Sequence, residues 1–150
     1  MTWDEMESPL VAEPMFPIEP RPALPDDPAK WSEEYRQRSF VAWMRKHHPE
    51  IITASIANEA KRSTFGGARK KSAGLTPGMP DIVVVWDGGM AFVEFKGATK
   101  SGQWGRLSQP QIEVCNKIHR NGHPVGCFFT ATGALEWLRS VGAPIDGVGA

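Results

Sequence analysis

The chain has little of what would mark it for export or for a membrane. It holds two cysteines, Cys115 and Cys127, in 150 residues, too few for a disulfide-stapled scaffold and without the histidine spacing of a zinc site. One falls on a predicted helix and the other on a predicted strand, and both read as reduced, buried small hydrophobes. No apolar run approaches the roughly 20 residues that cross a bilayer. Asp4, Glu5 and Glu7 stand where a secretory signal would carry Lys or Arg ahead of an apolar stretch. The expectation is a soluble cytoplasmic protein with no membrane partner. The length suits one compact domain and leaves no room for a second catalytic one.

Net charge is also absent, with 17 basic and 17 acidic residues, but the balance is local. The first thirty residues carry seven acids against Arg21 and Lys30, which leaves a net +5 on residues 31–150. A moderately basic body suits a polyanionic partner, and equally suits an ordinary solvated surface. Prolines at 9, 14, 17, 20, 22, 25 and 28 exclude a helix or central strand from residues 1–30. This acidic leader reads as extended or disordered, with Met15, Phe16 and Ile18 as its apolar anchors, and residues 31–150 read as the domain.

The domain opens with Ser32 as N-cap, Glu33 and Glu34 in a first helical turn, and Tyr35, Phe40, Trp43 and Met44 near helical spacing up to Pro49. Ile51 to Ala57 reads as a strand and Arg69 to Ala73 as a short basic helix closed by Gly74. Ile82–Trp86 and Met90–Phe95 are β-rich runs around Asp87-Gly88-Gly89, the strongest hairpin signal in the chain. Ser108 and Gln111 have capping-box spacing with Pro110 between them, predicting a helix that ends at Asn121-Gly122. A strand over Val125–Thr130 and a helix over Thr132–Ser140 complete the order. The pattern predicts an α/β chain: a mixed sheet flanked by helices.

The hairpin register decides whether the charged residues meet. A two-residue type I′ turn at Asp87-Gly88 sets Asp81 opposite Glu94; a turn at Gly88-Gly89 sets it opposite Lys96. Either way Asp81, Glu94 and Lys96 share a face with Val83, Val85 and Phe92. Ile82, Val84, Trp86, Ala91, Val93 and Phe95 occupy the other. Both faces are mostly apolar, so the hairpin is expected to be covered on both sides with its charges at one end. Paired carboxylates in such surroundings repel and are poorly solvated unless a cation intervenes. Hard carboxylate oxygens suit Mg2+ or Mn2+. A lone Glu-x-Lys on a strand is usually a cross-strand charge pair, but here it follows Gly78-Met79-Pro80-Asp81 through a hairpin that gathers the acids.

Gly78-Met79-Pro80-Asp81 followed by Glu94-Phe95-Lys96 resembles the signature of PD-(D/E)xK nucleases. With Asn58-Glu59 upstream and Leu107 to Gln111 opening a helix, residues 31–140 resemble the VRR-NUC family, the virus-type replication-repair nucleases. The resemblance implies a PD-(D/E)xK restriction-endonuclease-like core. It implies a metal held by Asp81, Glu94 and the backbone carbonyl of Phe95, and Lys96 orienting or deprotonating the attacking water and stabilising charge on the phosphate. Glu59 is either a further acidic ligand or the holder of a metal-bound water, or else an exposed acid beside Lys61 and Arg62. Gln111 would face the site from the first helical turn, in addition to its capping role. Glu33 or Glu34 could match an acid on the first helix of related folds, though dipole-favoured surface acids are the simpler reading.

Lys61, Arg62, Arg69, Lys70 and Lys71 are candidate contacts to the phosphate backbone, or a solvated helix face. Trp104 and Arg106 are candidates to stack on an unpaired base or wedge a junction; such a tryptophan more often folds back onto its own domain. The four histidines have no partner spacing that suggests catalysis. The expectation is a magnesium-dependent deoxyribonuclease acting on branched DNA such as four-way junctions. One domain offers one active site, so paired cuts imply a homodimer; the resemblance also implies a phage or prophage origin. The alternatives are flap, single-strand or restriction-like cleavage by the same site, or a DNA-binding or assembly module that has lost cleavage.

Overall fold

The structure is a computed structural model that describes residues 11–56, 74 and 76–147. Helix α1 spans Glu33–His47, and Ser32 caps it by accepting from the Tyr35 amide at 3.0 Å. Acids fill its first turn and Arg45 and Lys46 stand in its last, each opposite in sign to the helix end it faces. Arg36, Phe40 and Met44, four residues apart, form its buried stripe. Strand β1 (Ile52–Ser55) follows, then the hairpin of β2 (Ile82–Trp86) and β3 (Gly89–Phe95). Helix α2 (Gln109–Arg120) starts at a complete capping box between Ser108 and Gln111 and stops at Asn121. Strand β4 (Val125–Phe128) leads into α3 (Ala131–Ser140). The expected strand is shorter at its end because Thr130 leaves the sheet to cap α3, its hydroxyl accepting from the Gly133 amide at 2.9 Å.

The four strands lie in the order β1-β2-β3-β4, antiparallel except for the parallel pair β3–β4. This is the mixed, helix-flanked sheet of an α+β fold. In the hairpin Trp86 pairs with Gly89 and Ile82 with Val93, so the turn is Asp87-Gly88. The expected type I′ geometry is not adopted: it needs positive φ at both turn residues, whereas Gly88 alone has it, at 88°. Asp87 avoids the left-handed region that an L side chain enters at a cost. The register is unaffected.

Each face of the sheet is covered, as two apolar faces require. Ile82, Val84, Ala91, Val93 and Phe95 pack with Phe40 and Met44 of α1 and with Ala134, Leu135 and Leu138 of α3. On the other face Phe92, Val125 and Cys127 meet Cys115 and Ile118 of α2, together with Phe16 and Leu107. Both cysteines are free and buried.

Phe16 brings the proline-rich segment into that second core. The Asn116 side chain accepts from the Met15 amide at 2.8 Å and donates to the Glu13 carbonyl at 2.9 Å. Ile18 bridges in parallel to Cys127, with Cys127 N donating to Pro17 O and Glu19 N to Cys127 O. The segment therefore covers the free edge of β4, where unpaired backbone groups would otherwise be exposed. Glu19 ends the run: its carboxylate accepts from the amides of Phe129 and Thr130 at 2.7 and 2.9 Å and from the Thr130 hydroxyl at 2.7 Å. Among the anchors expected from the sequence, Phe16 is buried while Met15 and Ile18 stay largely exposed.

Candidate active site

The end of the hairpin away from its turn brings the acids together. One step beyond the Ile82–Val93 pair, two hydrogen bonds tie Asp81 to Glu94 and to its neighbour Phe95. The Asp81 amide donates to Glu94 Oε2 at 3.0 Å, and the Phe95 amide donates to Asp81 Oδ2 at 3.2 Å. Asp81 is further fixed by its carbonyl, which accepts from the Ile56 amide at 2.7 Å. Gln111 reaches the same place from α2: its Nε2 donates to Glu94 Oε1 at 2.8 Å while its Oε1 accepts from the Ser108 amide at 2.9 Å. Lys96 Nζ lies 3.9 Å from Glu94 Oε1. The two jobs foreseen for Gln111 are thus done at once.

A third carboxylate enters from α1. Oxygens of Glu33, Asp81 and Glu94 lie within 4.8 Å of one another. Simple surface exposure, the preferred reading of Glu33 from sequence, is corrected; Glu34 does follow it, pairing at 2.7 Å with exposed Arg38. What separates these neighbours is a close approach of backbones. A Cβ on Gly97 would collide with the backbone of Trp31, Ser32 and Glu33, and the Ala98 amide donates to Trp31 O at 2.8 Å. The missing side chain lets the first turn of α1 sit against the residue after Lys96. Gly78, with φ at +92°, does the same for the start of α2, where a Cβ would strike Pro110 and Gln111. These glycines were the available sequence signal for which helix starts line the site.

Glu94 is 1% exposed. Burial, reinforced by the negative charge of Asp81, pushes its carboxyl up to about 9, against the pull of Lys96. Burial also raises Asp81, against the Phe95 hydrogen bond and Lys96. Two carboxyls raised by burial, with the Glu33 carboxylate beside them, are hard oxygen donors without a sulfur or imidazole among them and form a donor set suited to a hard divalent cation.

The model of the VRR-NUC domain family matches residues 19–129, most of the chain. The chain belongs to the VRR-NUC family. VRR-NUC domains are PD-(D/E)xK nucleases, and a nuclease domain implies DNA as its substrate. The match begins at Glu19, inside the proline-rich segment. No curated protein and no solved structure matches the chain.

The remaining candidates divide by place. Glu59, Lys61, Arg62, Arg69, Lys70 and Lys71 lie outside the described residues, as does the expected short basic helix. Trp104 folds back onto its own domain: its ring meets Phe129 edge-on at 5.1 Å and lies 5.0 Å from the Arg36 guanidinium. Arg36 itself is buried and donates to the carbonyls of Phe129, Lys30 and Ser32, tying α1 to the end of β4. Arg106 is exposed and, with Lys96, borders a cleft beside the acids. Among the described residues, no helix is long and apolar enough to cross a membrane.

Proposed function

We propose that this VRR-NUC protein is a divalent-metal-dependent DNA endonuclease that hydrolyses phosphodiesters of branched DNA, such as four-way junctions, and works as a homodimer. The observation that carries the metal dependence is the convergence of Glu33, Asp81 and Glu94 within 4.8 Å beside Lys96. Asp81 and Glu94 would hold Mg2+ or Mn2+, with Glu33 as a third acid and the Phe95 carbonyl as a further oxygen. Such a cation neutralises phosphate charge and makes water more acidic.

The protein's own groups supply the rest. Gln111 fixes the rotation of the Glu94 carboxylate, and the Phe95 amide fixes that of Asp81. Lys96, with its side chain 13% exposed and its ammonium beside Glu94, would donate to a phosphate oxygen as negative charge builds there and would orient the attacking water. Branched DNA and the dimer rest on the family resemblance and on there being one acidic cluster among the described residues.

The test is cleavage of a panel of labelled DNAs (four-way junction, flap, single strand and duplex) with Mg2+, Mn2+, Ca2+ or EDTA. Junction cleavage with Mg2+ or Mn2+, none with EDTA, and binding without turnover in Ca2+ are expected. Vigorous cleavage in Ca2+ or EDTA would remove the metal reading, and preference for another panel member would replace the junction.

A further inference from the structure

Beside Lys96 lies a cleft of about 280 Å³ that no residue of the acidic cluster lines. One side is apolar, formed by Ile18, Leu107 and Phe129, and three cations, Arg21, Lys96 and Arg106, stand around it. Glu19 also borders it, but its carboxylate is committed to the two amides and the hydroxyl at the start of α3. Neither Arg21 nor Arg106 is paired with a carboxylate among the described residues. Arg21 is held at the rim by its own segment, with its guanidinium 6.0 Å from the centre of the Phe129 ring.

We infer that this cleft is a nucleotide subsite, taking the nucleotide next to the scissile phosphate, with Arg21 and Arg106 on its phosphate and the apolar side against its sugar and base. This rests on the nuclease reading above and adds to it a binding residue contributed by the proline-rich segment. The chemistry is matched on both sides. A guanidinium fork binds phosphate oxygens in two places at once, and a small, half-apolar cavity is the kind of site that buries a flat organic ring. The volume is near the lower end for small-molecule sites, about 300 Å³, so one nucleotide fits and a stacked duplex does not. Lys96 belongs both to the cleft and to the acidic cluster's surroundings, which makes the two sites continuous.

Fluorescence anisotropy of a short fluorescein-labelled oligothymidine, in EDTA and over a salt series, tests the subsite on the full chain without cleavage. Arg21→Ala and Arg106→Ala should each weaken binding roughly tenfold, the equivalent of one charge-assisted hydrogen bond. Each should also flatten the slope of log K against log salt by about 0.7, one single-strand phosphate contact. Arg21→Lys should keep the slope and lose part of the affinity, and Arg139→Ala, an exposed arginine of α3 outside the cleft, should match the wild type. In cleavage assays the cleft variants should raise KM with kcat little changed. Arg21 is exposed, so its variants should melt as the wild type does.

Wild-type affinity and slope in folded Arg21→Ala would overturn the subsite while leaving the nuclease reading intact. Loss of binding in that variant, with no metal-dependent cleavage by the wild type, would instead keep the subsite and remove the nuclease reading.

Discussion

Gln111 donates to Glu94 from a helix whose start it also caps, so one side chain links the opening of α2 to the carboxylate at the end of β3. Ser108 shares only the capping half of that arrangement. Ser108→Ala and Gln111→Ala should therefore cost similar stability, about 1 kcal/mol. Gln111→Ala alone should lower kcat/KM by about 10- to 100-fold, the usual penalty for removing a group that orients a metal ligand. Thermal melts beside kinetics separate the two; equal activity loss in both variants would reduce Gln111 to a cap.

Asp81 and Lys96 should be needed for chemistry and not for folding. Lys96→Ala should lose on the order of 10² to 10⁴ in kcat, the span of a positioned proton-transfer group. Asp81→Asn should be inactive yet melt higher than the wild type in EDTA at pH 8, because it removes the charge that opposes ionisation of buried Glu94 while leaving an oxygen for the Phe95 amide. Parallel losses of melting temperature and activity would mark these residues as structural.

The raised Glu94 carboxyl gives a pH dependence of definite sign. Between its ordinary value of 4.5 and about 9, the folded metal-free protein holds a proton that the unfolded chain has released. Stability is therefore fully present below pH 4.5 as far as this group is concerned, and is lost as pH rises towards 9. The melting temperature in EDTA should fall across that window, and added Mn2+ should raise it most at the alkaline end, where fewer protons need displacing. Glu94→Gln should flatten the metal-free profile. A wild-type profile that is already flat in EDTA would mean that Glu94 ionises freely.

Much of this is legible in the sequence because it is written in local chemistry. The hairpin announces itself through Asp87-Gly88 between β-rich runs, and its period of two puts Asp81, Glu94 and Lys96 on one face whichever two-residue turn forms. The capping box at Ser108 and Gln111 fixes where α2 starts, and therefore that Gln111 lies in its first turn. The sequence offers Glu33 only as a second choice to a surface acid and does not single out Arg21, because each is delivered by a contact between segments far apart in sequence. Glu33 arrives through the approach of α1 to Gly97, and Arg21 through the pairing of Ile18 with Cys127. A helix N-terminus rich in acids looks the same whether it faces solvent or a metal site. A proline-rich stretch looks the same whether it floats or covers a sheet edge, since backbone pairing leaves no pattern in side chains.

The approach at Gly97 is itself testable, because a glycine that admits another backbone should fail differently from one that only serves a turn. In Gly97→Ala the new methyl group meets the backbone before Glu33, which cannot yield as a flexible side chain would. The first turn of α1 must move away, taking Glu33 with it, at a stability cost of about 1–3 kcal/mol for overpacking. Gly88→Ala meets nothing within 4 Å but is held at a φ of +88°, and strain of about 1–2 kcal/mol follows from that alone. Both variants should melt lower. Only Gly97→Ala should lose Mn2+ affinity by calorimetry, in step with Glu33→Gln, and only it should lose kcat/KM at a temperature where both variants remain folded. If the two glycine variants keep equal metal affinity, Glu33 does not contribute to the cation site and the third carboxylate must be withdrawn from it.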